Sequence, residues 1–204
     1  HNVVAQMMPD GLPDMGGFVA DLIQSYPRST PEQRQQVMSY FGLGSLPATH
    51  ALARQFCVCD RWYSSVPGPT WPNRFFMHSG TSQGWVEMPA GSSPSTWRHM
   101  HAYDQTTLYD RLNERHVDWR IYYDDVPQSL VLANQRKPAN RHRYWEMAKF
   151  YRHLREVPAS EYPAYVFIEP NYFWPGQNDQ HPPHDVRYGE HYDTGNGREF
   201  VEFA

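Results

Sequence analysis

The chain has 204 residues, of which 40% are hydrophobic and 15% aromatic, and this length and content predict one domain with an apolar core. The formal net charge of −4 excludes the basic field that binding to nucleic acid requires, so we expect no nucleic-acid partner. No apolar run approaches the roughly 18 residues of a transmembrane helix, so we expect no transmembrane segment.

The chain begins at His1 rather than at a methionine, and no leader with a charged and then an apolar region follows it. We therefore expect that sequence upstream of His1 is missing, which would include a signal peptide if the protein is exported. The expected location is secreted or periplasmic, with a cytoplasmic location as the alternative.

Helical patterns dominate the first quarter of the chain. Residues 1–14 contain two prolines and Gly11, and they predict a loop. Apolar residues at helical spacing, together with Thr30 as a cap and prolines at helix starts, then predict helices over residues 18–26, 30–41 and 46–56.

A buried strand is predicted over residues 56–66, because this stretch is rich in β-forming and aromatic residues. Cys57 and Cys59 lie two positions apart on it, so their side chains should point to opposite faces and cannot form a disulfide. The stretch from residue 80 to residue 96 is rich in Gly, Ser and Pro and predicts a surface loop.

The second half of the chain alternates between helical and strand patterns. Thr107 caps a predicted helix over residues 108–114, and a strand follows over 117–123. A further helix is predicted over 141–155, and the clearest core strand over 165–168, with Glu169 at its carboxyl end. This alternation is typical of an α/β fold, in which the carboxyl ends of the strands face the ligand crevice.

Thr70 stands at a sharp corner of the chain. Pro67 and Pro69 fix φ and lack an N–H group, and Gly68 relieves the crowding between them. Pro72 is tolerated only in the first turn of a helix, so Thr70 is predicted as the N-cap or the residue beside it. Unpaired N–H groups and the helix dipole attract anions there, so this hydroxyl is a candidate to attack phosphorus. An ordinary helix start is the alternative.

A second polar cluster occupies residues 178–185. Two prolines between His181 and His184 hold the histidines on a stiff, extended loop. Histidine transfers protons near neutral pH, and an adjacent carboxylate, Asp179 or Asp185, is placed to orient a ring and raise its pKa. The alternative is a surface turn without a role in chemistry.

Two weaker signals complete the candidates. His99 and His101 form a pair that zinc could use, and a zinc protein built on them with the two loop histidines is a third hypothesis. Aromatic residues crowd the candidate site, where their faces could enclose a quaternary ammonium such as choline, with core packing as the alternative. They are Trp62, Tyr63, Trp71, Tyr172, Phe173 and Trp174.

Three segments resemble the phosphoesterase family, in the order in which that family carries them. They are residues 56–82 around the motif Pro-Gly-Pro-Thr-Trp-Pro-Asn-Arg, residues 119–130, and residues 167–186 with the loop Asn-Asp-Gln-His-Pro-Pro-His-Asp. The family contains bacterial phosphatidylcholine-hydrolysing phospholipases C, a bacterial acid phosphatase and the plant non-specific phospholipases C. The resemblance covers roughly residues 35 to 190.

The resemblance implies an α/β/α sandwich of the alkaline-phosphatase type, with residues 1–204 as a single phosphoesterase domain. It implies that Thr70 is the nucleophile and also a ligand of a divalent metal of unknown identity. Asn73 and the N–H groups after Thr70 would hold phosphate oxygens.

The same resemblance implies the roles of the remaining candidates. His181 and His184 would stabilise the phosphate or protonate the leaving alcohol, and Glu169 or Asp179 would support them. Asp179 and Trp71 are also expected to contact the substrate. The substrate would be a phospholipid, reached through transient contact with a membrane surface, or a phosphomonoester.

The chain departs from the family at both ends. Family members carry an early Glu-Asn-x-Ser-Phe-Asp-His segment and a late Asp-Glu-His-Gly-Gly segment that supply the other metal ligands, and residues 1–204 contain neither. We therefore expect a middle portion of a longer, metal-dependent enzyme. The alternative is a degenerate homologue that binds a phosphorylated or choline-bearing ligand without turnover.

Overall fold

The computed structural model of the chain describes residues 2–44, 46–87, 103–172, 186–187 and 190–191. The chain divides into two compact units, one made of residues 1–67 and 180–204 and the other of residues 68–179. The single domain expected over residues 1–204 stays a prediction.

The described part of the first unit contains four short helices. They are α1 (Asn2–Met7), α2 (Phe18–Ser25), α3 (Pro31–Gln36) and α4 (Pro47–Gln55). In the same unit Val186–Arg187 pairs antiparallel with Glu190–His191. The starts predicted for α2, α3 and α4 are confirmed, whereas α3 ends five residues before the predicted boundary at residue 41.

The loop predicted over residues 1–14 is wrong at its beginning, because α1 packs against α2. The Gly17 amide donates to the Gln6 carbonyl over 3.0 Å, and the Gln6 side chain donates to the Asp21 carboxylate over 2.6 Å. A Cβ atom on Gly17 would overlap the Ala5 carbonyl oxygen, so glycine allows the close approach. The prolines and glycine that suggested a loop lie after this helix.

The buried strand predicted over residues 56–66 is also wrong. The stretch is irregular and exposed, with Phe56 and Trp62 exposed to 72% and 79%. A strand requires a partner for its backbone groups, and none of the described strands pairs with this stretch. Cys57 and Cys59 are free and exposed, so the prediction that they form no disulfide is confirmed.

The second unit is built on a parallel sheet of three strands in the order β2-β1-β3. The strands are β1 (Trp119–Tyr123), β2 (Tyr144–Glu146) and β3 (Tyr165–Glu169). Register pairs Ile121 of β1 with Tyr144 of β2 and with Phe167 of β3. All three strands therefore end at the same edge of the sheet.

Helices cover both faces of this sheet. Among the described residues, the helices of the second unit are α5 (Thr70–Ser79), α6 (Leu108–Glu114) and α7 (Met147–Glu156), and 3-10 turns cover Gln128–Val131, Ala133–Arg136, Pro138–Arg143 and Ala159–Glu161. On one face, Trp119 packs against Tyr109 of α6 with ring centroids 4.6 Å apart. On the other, Tyr122 packs against Phe150 of α7 at 5.0 Å. The predicted α/β character is thus confirmed, whereas the sandwich of the alkaline-phosphatase type stays a prediction.

The helix predicted over residues 141–155 is wrong in its first half. A 3-10 turn ends at Arg143, strand β2 follows, and α7 begins only at Met147. Tyr144 and Trp145 alternate between the two faces of the sheet, packing against Trp119 and Tyr122 respectively. Pairing with β1 therefore overrides the helical spacing of the apolar residues.

No helix in the described part of the chain combines the length and the apolar character needed to cross a bilayer.

Candidate active site

Thr70 is the first residue of α5, as the sequence predicts. The N-cap is Pro69, whose backbone is extended with ψ at −177° and which offers no side-chain cap. The Thr70 side chain is exposed. This exposed residue therefore stands at the positive end of the α5 dipole, where phosphate oxygens are favoured.

The Asn73 side chain forms hydrogen bonds across the turn that precedes Thr70. Its side-chain amide donates to the Pro69 carbonyl over 3.0 Å and to the Gly68 carbonyl over 3.3 Å. Asn73 thus stabilises the turn that presents Thr70, and its contact with phosphate stays a prediction.

Trp71 lies on the buried side of α5. Its ring packs against Phe75 with centroids 5.9 Å apart, and Phe75 packs against Tyr103 at 5.3 Å. Val131 and Leu132 belong to the same apolar cluster. This cluster fixes the first turn of α5 against the body of the unit, and the expected contact of Trp71 with substrate stays a prediction.

Arg74 joins α5 to the carboxyl end of the sheet. Its Nη1 atom donates to the Tyr172 hydroxyl over 2.9 Å and lies 3.6 Å from the Glu169 Oε2 atom. The guanidinium carbon lies 5.4 Å from the centre of the Tyr172 ring. Arg74 is four residues after Thr70, so both side chains lie on the same face of the helix.

Glu169 is a fully buried carboxylate at the end of β3. Its Oε2 accepts the Gln128 amide over 2.8 Å, and its Oε1 accepts the amide and the hydroxyl of Ser129 over 3.3 and 3.0 Å. The Gln128 and Ser129 amides begin a 3-10 helix, so the carboxylate caps that helix. Glu169 therefore joins β3, this 3-10 helix and, through Arg74, α5.

Tyr172 is tied to the loop after β1. Its amide donates to the Asp125 carboxylate over 2.8 Å. Burial raises the pKa of Tyr172 to about 12, against the opposing effect of the Arg74 charge. The Tyr172 phenol is therefore protonated across the physiological range and accepts the hydrogen bond from Arg74.

His78 lies two turns after Thr70 but is buried in the core with 1% exposure. Its Nδ1 lies 3.2 Å from the Tyr109 hydroxyl, and its ring meets the edge of Phe167 at 5.0 Å. Its buried Nε2 has no hydrogen-bond partner among the described residues. Burial, and next the charge of Arg74, lower the His78 pKa to about 4.

Several predicted site residues lie outside the described residues. They are Asp179, His181 and His184 of the histidine loop, and His99 and His101 of the zinc hypothesis. In the described ranges no group of three or more His, Cys, Asp or Glu side chains is placed to hold a metal. These ranges alone do not make a metal centre around Thr70.

The sequence reasoning missed the connection made by Arg74. The residue belongs to the motif that follows Thr70, but it received no role. The available signal was its position one helical turn after Thr70, combined with a glutamate at the end of a core strand.

Comparison with known proteins places this sequence in a family. A model of the phosphoesterase family matches residues 11–194. Non-specific phospholipase C6 of Arabidopsis thaliana is 34% identical over 89% of the chain and 33% of its own length. Non-specific phospholipase C3 of the same plant is 35% identical over 87% of the chain and 32% of its own length.

A bacterial protein matches a shorter stretch. Hemolytic phospholipase C of Pseudomonas aeruginosa is 33% identical over 49% of the chain and 14% of its own length. The chain spans about a third of the length of the plant relatives. With the family model covering nearly all of the sequence, the chain belongs to the phosphoesterase family.

Proposed function

We propose that the protein hydrolyses a phosphate ester through Thr70 as nucleophile. The observation that carries the proposal is the exposed residue Thr70 on the first turn of α5, behind a corner closed by Asn73. Membership of the phosphoesterase family and relatives named phospholipases C support the reaction class.

In the proposed reaction the Thr70 oxygen attacks phosphorus and the ester oxygen of the leaving alcohol departs. One of the two loop histidines, His181 or His184, takes the proton of the Thr70 hydroxyl, and the other donates a proton to the leaving alcohol. Water then attacks the phosphorus of the threonine ester and regenerates the hydroxyl. The α5 dipole favours the negative charge on the phosphate throughout.

We also propose a divalent metal with Thr70 as one ligand. The described residues do not supply the other ligands, so no step above depends on the metal. When bound, such a cation would lower the pKa of the hydroxyl and neutralise charge on the phosphate.

The proposed substrate is a phospholipid cleaved on the glycerol side of phosphorus, because the matching relatives carry the name phospholipase C. A phosphomonoester is the other substrate of the same chemistry. An alkaline-phosphatase-type sandwich, transient contact with a membrane surface and a secreted or periplasmic location belong to the same proposal.

The test replaces the nucleophile in the full-length protein. With a divalent metal supplied, Thr70→Ala is expected to lower kcat by at least about a thousandfold on p-nitrophenyl phosphorylcholine, p-nitrophenyl phosphate and phosphatidylcholine vesicles. Thr106→Ala is the matched control, because Thr106 is also exposed but precedes α6. Undiminished activity in Thr70→Ala would contradict the proposal that Thr70 is the nucleophile.

A binding module without turnover is the second candidate. The specific observation in its favour is that the described residues contain no metal-binding cluster. Titration calorimetry with phosphocholine, run beside the turnover assay, separates the two functions. Binding with no turnover at any metal concentration would favour the module.

A further inference from the structure

We propose that Arg74 and Glu169 form a clamp that positions Thr70 for attack. Both are positioning residues, since neither is placed in contact with substrate. This inference rests on the proposed function and deepens it.

The clamp is anchored at its glutamate end. The Glu169 carboxylate has no exposed surface, and three hydrogen bonds from Gln128 and Ser129 fix both of its oxygens. The strand that carries it pairs with β1 along its whole length. The carboxylate therefore cannot follow a displaced helix.

Arg74 connects α5 to this fixed carboxylate. Arg74 is only 17% exposed, and its Nη1 reaches both the Glu169 carboxylate and the Tyr172 hydroxyl. Tyr172 is itself held by Asp125. One helical turn separates Arg74 from Thr70. Holding the guanidinium in place therefore also holds the first turn of α5, which carries the nucleophile, in a fixed position relative to the sheet.

Arg74→Lys keeps the positive charge but replaces the planar guanidinium by a single ammonium group. A single ammonium on a flexible stem does not hold the position of the rigid guanidinium, whose Nη1 contacts both the Tyr172 hydroxyl and the Glu169 carboxylate. Displacement of a nucleophile by about 1 Å lowers rates by roughly a hundredfold. The clamp thus predicts a loss in kcat and not in substrate binding.

The second unit offers a closely matched control in Arg143. Its side chain is 19% exposed, it pairs with Asp118, and its guanidinium carbon lies 5.5 Å from the centre of the Trp119 ring. Asp118 and Arg143 precede β1 and β2, so this pair lies at the opposite end of the sheet. Arg143→Lys makes the same change in an arginine of similar exposure whose carboxylate partner is half-exposed, away from Thr70.

The experiment compares Arg74→Lys, Arg143→Lys and Thr70→Ala in the full-length protein, using p-nitrophenyl phosphorylcholine and p-nitrophenyl phosphate. Circular dichroism and thermal denaturation first establish that each variant is folded at the assay temperature. Arg74→Lys is expected to lower kcat by about 10- to 100-fold with KM within about twofold of wild type. Arg143→Lys is expected to leave both constants within about twofold.

Tyr172→Phe keeps the clamp testable if Arg74→Lys does not fold. It removes only the hydroxyl that accepts from Arg74, and kcat is expected to fall by about two- to tenfold with KM unchanged. Addition of guanidinium to Arg74→Ala should restore part of kcat, which a loss of overall folding would not allow.

Any result other than those expected above would contradict the proposed clamp. A wild-type kcat in both Arg74→Lys and Tyr172→Phe, an equal fall in Arg74→Lys and Arg143→Lys, or a raised KM at unchanged kcat would contradict it. If Thr70→Ala is inactive while the clamp variants are normal, the clamp fails and the proposed function stands. Full activity in Thr70→Ala, or an inactive wild type, would contradict both the clamp and the proposed function.

Discussion

His78 shows at the scale of one residue how the core near Thr70 depends on charge. The ring is buried between Tyr109 and Phe167, and the nearby Arg74 adds a positive charge. The folded state therefore holds His78 neutral, because a second positive charge would be buried where the described residues offer Nε2 no partner.

This residue predicts a loss of stability in acid. The folded pKa of about 4 lies below the ordinary 6.5, so the unfolded chain binds a proton first as the pH falls. Unfolding free energy should therefore decrease between pH 6.5 and 4, by up to about 3 kcal/mol from this group.

Urea denaturation at pH 7.5 and pH 4.5 measures the effect. His78→Gln, which does not titrate in this range, should show a smaller loss than wild type between the same two conditions. An equal loss in the two proteins would contradict the assignment.

Two features near Thr70 show which structural details could be predicted from the sequence and which could not. The corner at Thr70 was predictable, since proline and glycine restrict the backbone locally. The bond from Arg74 to Tyr172 was not, because the two residues are 98 positions apart. Contacts of that separation arise from the folded topology and leave no local pattern.

At the scale of elements, α6 depends on its N-terminal cap. Thr107 Oγ1 accepts the Asp110 amide over 3.2 Å and the Gln135 side-chain amide over 2.8 Å, in a buried position. The helix places Tyr109 against Trp119 in the core. The cap therefore serves both the helix and a buried partner.

Thr107→Ala should lower the free energy of unfolding by about 2 to 3 kcal/mol, because Gln135 also loses its buried acceptor. Thr30→Ala removes the corresponding exposed cap of α3 and should cost about 1 kcal/mol or less. Chemical denaturation of the two variants measures the difference. Equal losses would show that the bond to Gln135 contributes nothing.

At two helices the sequence predicted the start through its capping residue. Thr30 and Thr107 both form capping boxes at the predicted helix starts. Strand β2 was missed because it is only three residues long and exists through pairing with β1. The strand predicted at residues 56–66 was wrong, since composition alone does not supply a pairing partner.

At the scale of the whole molecule, the three parallel strands place acidic residues at one edge of the second unit. Glu169 ends β3 there, and Asp124 and Asp125 follow β1. The histidine loop lies outside the described residues, so the expected meeting of His181 and His184 with Thr70 stays a prediction.

Removal of divalent metal tests the cofactor at this scale. Dialysis of the full-length protein against EDTA should lower kcat by at least about a hundredfold, and a divalent cation should restore it. Metal analysis of the purified protein identifies the ion. Full turnover in metal-free protein would contradict the proposed metal.

The most direct measurement of the central claim is mass spectrometry of the protein quenched during turnover. We predict that the peptide containing Thr70 carries a phosphocholine group after reaction with p-nitrophenyl phosphorylcholine, or a phosphoryl group after reaction with p-nitrophenyl phosphate. A modification on any other residue, or Thr70 that stays unmodified in a rapid quench while product forms in a pre-steady-state burst, would contradict the account.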